Sequence, residues 1–203
     1  MNTSATPPSA PATPAQIRSA RIQIVLMVLV FAAPVVLSYI WYFFVHPVDH
    51  LNYGTLLDVH PLPAATLPDL QGQRQDFASL RGKWLIVAED DGACAAPCAT
   101  KLYAMRQVRA ALGHDDLRVE RVLLLRDDAP VSASVQQDFP GTHFLRVSGT
   151  PLADAFTPEQ GDVRAHLWVV DPLGNLVMRY PADPDLRRML KDMERLLKAS
   201  QIG

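Results

Sequence analysis

The sequence predicts an α/β sandwich carried on a single N-terminal membrane-spanning helix. Three observations lead there. Residues 22–44 run for 23 positions without a charge. Two later apolar runs, residues 84–88 and 117–125, read as strands buried on both faces of a sheet. Amphipathic helical patterns follow the first run and close the chain. With 49% apolar residues, the chain is too hydrophobic to be disordered throughout. Two cysteines exclude a disulfide-dense scaffold. A net charge of −2 with no basic block argues against nucleic acid as a partner.

The N-terminal elements come first. Residues 1–21 are rich in Ala, Pro, Ser and Thr, contain no acid, and read as a disordered cytoplasmic tail. Residues 22–44 form the expected transmembrane helix. At 1.5 Å per residue they span about 34 Å, enough for a hydrocarbon core of roughly 30 Å. Pro34 is tolerated there with a kink. Tyr39, Trp41 and Tyr42 supply an interfacial aromatic belt at the far end. Arg18 and Arg21 precede the helix and the first acid is Asp49, so the N-terminus is expected in the cytoplasm. The rest is then expected in the periplasm or an equivalent compartment, anchored in the bilayer of the cell inner membrane. The stretch is too long for a signal-peptide core, and no small-x-small site follows it.

Residues 45–61 read as a spacer, with Pro47, Pro61 and the loosely spaced His46, His50 and His60. Structure is expected from residue 62 to residue 203. Thr66 to Leu70 reads as an edge strand because of Pro68. A helix follows the 84–88 strand to about Leu112, with Leu102, Met105 and Val108 on its buried stripe and Gly113 closing it. The 117–125 strand comes next, then a short helix over 131–139 and a strand over 144–147. Residues 165–170 and 176–180 flank Asp171-Pro172-Leu173-Gly174-Asn175, a hairpin signal. A last helix runs from about Pro184 to Lys198, with Leu186, Met189, Leu190, Met193 and Leu197 at helical spacing. A strand, a Cys-bearing turn, a helix, and later a hairpin and closing helix make a thioredoxin-like order.

The chemistry centres on Cys94 and Cys98, spaced C-x-x-x-C. Positions i and i+4 share one helix face, so both sulfurs can point the same way. A cysteine at a helix N-terminus gains thiolate character from the unpaired N–H groups. Pro97 is compatible with a first turn. Such a pair can form a disulfide or hold a soft ion such as Cu(I). Glu89, Asp90 and Asp91 stand just before it; free carboxylates there disfavour a thiolate and favour a bound cation. A bridge closing three intervening residues constrains the unfolded chain little, which makes a purely structural disulfide the weaker reading. A peroxidase reading lacks a Pro-x-x-x-Thr-x-x-Cys run ending at Cys94.

At these residues the chain resembles a family. The run Gly82-Lys83-Trp84…Cys94-x-x-x-Cys98, the strand ending in Arg126-Asp127-Asp128, the segment Leu145…Ser148-Gly149-Thr150 and Asp171-Pro172-x-Gly174 are similar to the Sco/SenC branch of the thioredoxin superfamily. The resemblance covers residues 62–198. It implies a membrane-anchored assembly factor for cytochrome c oxidase that handles copper, or keeps the oxidase's cysteines reduced, through Cys94 and Cys98. A general extracytoplasmic thiol–disulfide oxidoreductase and a non-catalytic partner-binding domain are the alternatives. The expected partners are an oxidase subunit or another extracytoplasmic thiol protein. The chain departs from the family at three places. Ala95 and Ala99 follow the cysteines where the family has proline. Val163 stands where the family has its copper histidine. The link from Thr150 to Asp171 is shorter than usual. His166 is the nearest substitute ligand, although strand alternation groups it with Trp168 and Val170. His143, Met105 and Met178 are weaker candidates, Met105 being better placed for core packing.

Overall fold

The structure is a computed structural model and describes residues 14–41, 52–158 and 161–200. The chain divides into two units, Met1–Leu51 and Asn52–Gly203.

The first unit holds helix α1, Pro14–Ile40. It contains one stretch long and apolar enough to cross a membrane, Arg21–Ile40, with mean hydropathy 2.4. Its side chains offer no polar face: Leu29, Phe31 and Leu37 are all exposed. That is the composition of a helix that meets lipid on every side. The helix begins earlier than expected, inside the segment read as tail. Ala15, Gln16, Ile17 and Ala20 carry it back toward Pro14, whose missing N–H costs nothing in a first turn. The remainder of the expected tail, residues 1–13, and residues 42–51 of the expected helix end and spacer lie outside the described residues.

The second unit is a six-stranded sheet with helices on both faces. Its strands are β1 (Thr55–Pro61), β4 (Trp84–Asp90), β5 (Val119–Leu125), β6 (Thr142–Arg146), β7 (His166–Val170) and β8 (Asn175–Pro181). Their spatial order is β1-β8-β7-β4-β5-β6. Strands β4, β5 and β6 run parallel, and β7 is antiparallel to both β4 and β8. A separate hairpin, β2 (Thr66–Pro68) with β3 (Arg74–Asp76), is joined to the sheet by an Asp69–Leu145 bridge. The helices of this unit are α2 (Ala96–Ala111), α3 (Ala133–Asp138), α4 (Pro151–Ala155) and α5 (Leu186–Ala199).

Alternation along β4 divides the core into two layers. Trp84, Ile86 and Ala88 face Leu102, Met105 and Val108 of α2 and Met189, Met193 and Leu197 of α5. Leu85 and Val87 face the other layer, with Leu67, Phe77, Leu152, Phe156 and Trp168. Both cysteines belong to the α2 layer. Met105 and Met178 are fully buried core residues of the same layer.

The expected spacer needs correction over residues 55–61. This segment is strand β1, hydrogen-bonded along β8, with its register shifting between Leu56 and His60. Nearly all its side chains are exposed, so it carries no alternation that periodicity could detect. Backbone pairing at the sheet edge, not burial, makes it a strand.

The entry to β1 is fixed by Asp192 of α5. Its carboxylate is buried and accepts the N–H of Tyr53 at 2.7 Å and of Gly54 at 2.9 Å. The Tyr180 hydroxyl donates to it at 3.4 Å. Burial, together with the neighbouring Asp192 charge, pushes the Tyr180 phenol well above its ordinary range. A Cβ on Gly54 would lie 2.5 Å from Met178 Sδ and 2.6 Å from Tyr180 Cε1, so a larger residue there would have to displace these two buried side chains. Removing the carboxylate strands one buried and one half-buried N–H donor. Asp192→Ala is therefore expected to cost about 2–4 kcal/mol, read from urea unfolding; a loss below about 0.5 kcal/mol, the scatter of surface substitutions, would contradict this role.

Candidate functional site

The site lies where β4 ends and α2 begins. Strand β4 is central and buried, and it leads directly into the loop that carries Cys94. Helix α2 starts at Ala96, with Ala95 as its N-cap and Pro97 in the first turn. Cys98 is thus inside the first turn and Cys94 lies just outside the helix. The two sulfurs are joined as a disulfide, with Cα atoms 5.0 Å apart. They do not meet by sharing a helix face, as the spacing suggested. Cys94 takes a left-handed backbone, φ +43°, and this bend folds its sulfur back toward Cys98. For a residue with a Cβ that conformation costs of order 1–3 kcal/mol and persists only where the surroundings impose it.

Several contacts impose it. The Cys94 N–H donates to the Asp91 carbonyl at 3.0 Å. The Gly92 N–H donates to Asp127 Oδ1 at 2.7 Å. A Cβ on Gly92 would lie 2.0 Å from the Ala129 carbonyl oxygen, so only glycine fits. The two sulfurs are unequally accessible: Cys94 is 8% exposed and Cys98 0%. Cys94 is therefore the less deeply buried of the pair.

The three acids before the pair are each matched to a base, which corrects the expectation of free negative charge. Glu89 Oε2 accepts from Arg126 at 2.5 Å. Asp90 pairs with Lys101 at 2.6 Å, and Asp91 with Arg164 at 2.8 Å. The carboxylates are already engaged by protein cations. They neither oppose a thiolate strongly nor stand free for an added cation.

Glu89 is the most unusual of the three. It is fully buried, and its Oε1 has no hydrogen-bond partner. Desolvation raises its pKa to about 7, against the opposing pull of Arg126.

Cys94 and Cys98 are brought together, and His166 is not grouped with them. It opens β7, its Nδ1 lies 3.1 Å from the Asp162 carbonyl, and its ring packs on Trp168 with centroids 5.5 Å apart. Val163 and Arg164 form a short 3-10 turn just before it. His143 lies 3.8 Å from Glu120 across the β5–β6 pair. Among the described residues, no three His, Cys, Asp or Glu side chains converge as a metal site.

A family model described as transmembrane-like, thioredoxin-like, C-terminal domain matches residues 84–200. The chain belongs to this family. Its thioredoxin-like fold also matches solved structures of Sco proteins. A copper-bound ScoI from Arabidopsis thaliana aligns with TM-score 0.56 and 15% identity, over 70% of this chain and 100% of that one. Yeast Sco1 aligns with TM-score 0.56 and 17% identity, over 69% and 99%. The apo Sco1 of Thermus thermophilus aligns with TM-score 0.55 and 22% identity, over 75% and 99%. No curated protein matches the sequence. The likeness to Sco/SenC proteins expected from the motifs is present in the fold.

Sequence reading missed Lys101, Arg126 and Arg164 as members of the site. A signal existed for Lys101, which falls between Cys98 and Met105 on the buried stripe of α2. A lysine at a core position needs a buried partner. For the two arginines no spacing pattern pointed to the acids they meet.

The raised Glu89 pKa has a stability consequence. The folded state holds this proton up to about pH 7, whereas an unfolded glutamate releases it near 4.5. Glu89 therefore favours the fold most below pH 4.5, and that contribution is lost as pH rises through 7. Unfolding of the wild type and Glu89→Gln across this window is expected to show the wild type losing stability relative to the variant as pH rises. Parallel curves would refute it.

Proposed function

We propose that this protein is a membrane-anchored thiol–disulfide exchange factor that keeps cysteines of a cytochrome c oxidase subunit reduced. Helix α1 anchors it in the cell inner membrane, with the N-terminus cytoplasmic and residues 52–203 in the periplasm or an equivalent compartment. The positive residues Arg18 and Arg21 ahead of the apolar stretch support that orientation. The observation that carries the chemistry is the Cys94–Cys98 disulfide at the start of α2, with Cys94 the less deeply buried of the two and no third ligand grouped beside them among the described residues.

The exchange proceeds in two displacements. The Cys94 thiolate attacks one sulfur of the target disulfide. A mixed disulfide forms, and the other target sulfur leaves as a thiolate that takes a proton from water. The Cys98 thiolate then attacks Cys94, closes the intramolecular disulfide and releases the second target thiol. Two electrons pass to the target, and a dithiol reductant of the same compartment must restore the pair. Cys94 is assigned as the attacking sulfur because it lies outside the helix and is the less deeply buried, and Cys98, fully buried inside the first turn, is assigned as the resolving one.

A second reading is Cu(I) delivery through the same two sulfurs. What favours it is the likeness to copper-bound Sco structures, from Arabidopsis thaliana and, at 22% identity, Bradyrhizobium japonicum. Copper would then be cargo on the reduced pair.

The deciding experiment is trapping in membranes. Cys98→Ser is expected to accumulate a mixed disulfide with an oxidase subunit, and Cys94→Ser none. Absence of any trapped species in Cys98→Ser, together with stoichiometric Cu(I) retention by the reduced wild type, would replace exchange with copper delivery. Normal oxidase assembly in the double cysteine variant would exclude both.

A further inference from the structure

Lys101 is the one basic side chain of the site with no exposed surface. Burying an ammonium is costly unless every proton finds an acceptor. Here all three do. Lys101 Nζ pairs with Asp90 Oδ2 at 2.6 Å, donates to the Glu89 carbonyl at 2.6 Å and donates to the Arg164 carbonyl at 2.8 Å. These acceptors belong to two different elements. Asp90 and Glu89 are the last residues of β4, from which the Cys94 loop departs. Arg164 belongs to the turn before β7, and its guanidinium holds Asp91 of the same loop. Lys101 itself stands one turn beyond Cys98 on α2. One buried cation therefore ties the helix bearing Cys98 to the root of the loop bearing Cys94.

We propose that Lys101 is a positioning residue for the cysteine couple: it holds the two thiols of the reduced protein in the geometry from which the disulfide closes, and so sets their effective concentration. The inference rests on the exchange reading of the same site, but its observable belongs to this chain alone. An intramolecular disulfide is as stable as its thiols are well placed. Losing the tie allows α2 and the loop to drift apart in the reduced protein, which favours the dithiol. The alternative is a charge effect of opposite sign. Removing Lys101 would leave Asp90 uncompensated, and its charge would disfavour thiolates and favour the disulfide.

The midpoint potential of the full chain in detergent, equilibrated in glutathione buffers and read by thiol alkylation, separates the two. Lys101→Met is expected to lower the effective concentration about tenfold or more, raising the potential by about 30 mV for a two-electron couple. Asp90→Ala, which removes the other end of the tie, should shift it in the same direction. Lys83→Met, a lysine that bonds the Leu117 carbonyl away from the cysteines, should not shift it. An unchanged or lowered potential in folded Lys101→Met overturns the proposal. If Lys101→Met fails to fold, an unchanged potential in Asp90→Ala overturns it alone. These potentials stand whether or not oxidase assembly depends on the chain, so a failed trapping experiment and a failed positioning role are told apart.

Discussion

The site depends on ion pairing at the end of a buried strand. Strand β4 is sealed between two core layers, and its last residues are acidic just where the backbone must leave the sheet and turn into α2. Glu89 and Asp90, buried or nearly so, need partners, and Asp91 at the half-exposed edge has one as well; the partners come from three directions, α2, the end of β5 and the turn before β7. The price of burying this cluster is offset only if all the elements hold their places together. The loop carrying Cys94 is therefore not a free surface loop. It is held at its root by charge, at Gly92 by Asp127 and by lack of space for a side chain, and at Cys94 by a local backbone bond.

That arrangement explains how a C-x-x-x-C pair closes. A helix presents i and i+4 on one face, but Cys94 is not helical. The left-handed turn at Cys94 does the work, and the clamped loop sustains it. The price in φ falls on the accessible cysteine, while Cys98 remains in an ordinary first turn beside Pro97. Chemical asymmetry between the sulfurs thus follows from backbone geometry as much as from burial.

Much of this was legible from residues alone. The apolar runs at 84–88 and 117–125, the Met105 stripe and the closing helix each became an element close to the expected bounds, because each buries a strong periodic face. What was not legible had no such face. Strand β1 is exposed along its length, β3 is three residues of polar sequence, and α4 is a single short turn. The cysteine pair was found because clustering two thiols in one window is rare in this composition. The bases that neutralise Glu89, Asp90 and Asp91 were missed because Arg126 and Arg164 lie 37 and 73 residues from their acids, a distance that only the fold closes.

The pairing also bears on which cargo the site suits. Cu(II) at this place would need a further donor beside the sulfurs, whereas two thiolates alone can hold Cu(I). The turn that leads into β7 instead delivers Arg164, a cation, to the Cys94 loop, while His166 turns to Trp168. The Arg164 guanidinium and the Lys101 ammonium pair with Asp91 and Asp90, so these carboxylates add little attraction for a cation beside the sulfurs. Thiol exchange in general makes a different demand, two sulfurs kept in register and one of them within reach of a partner.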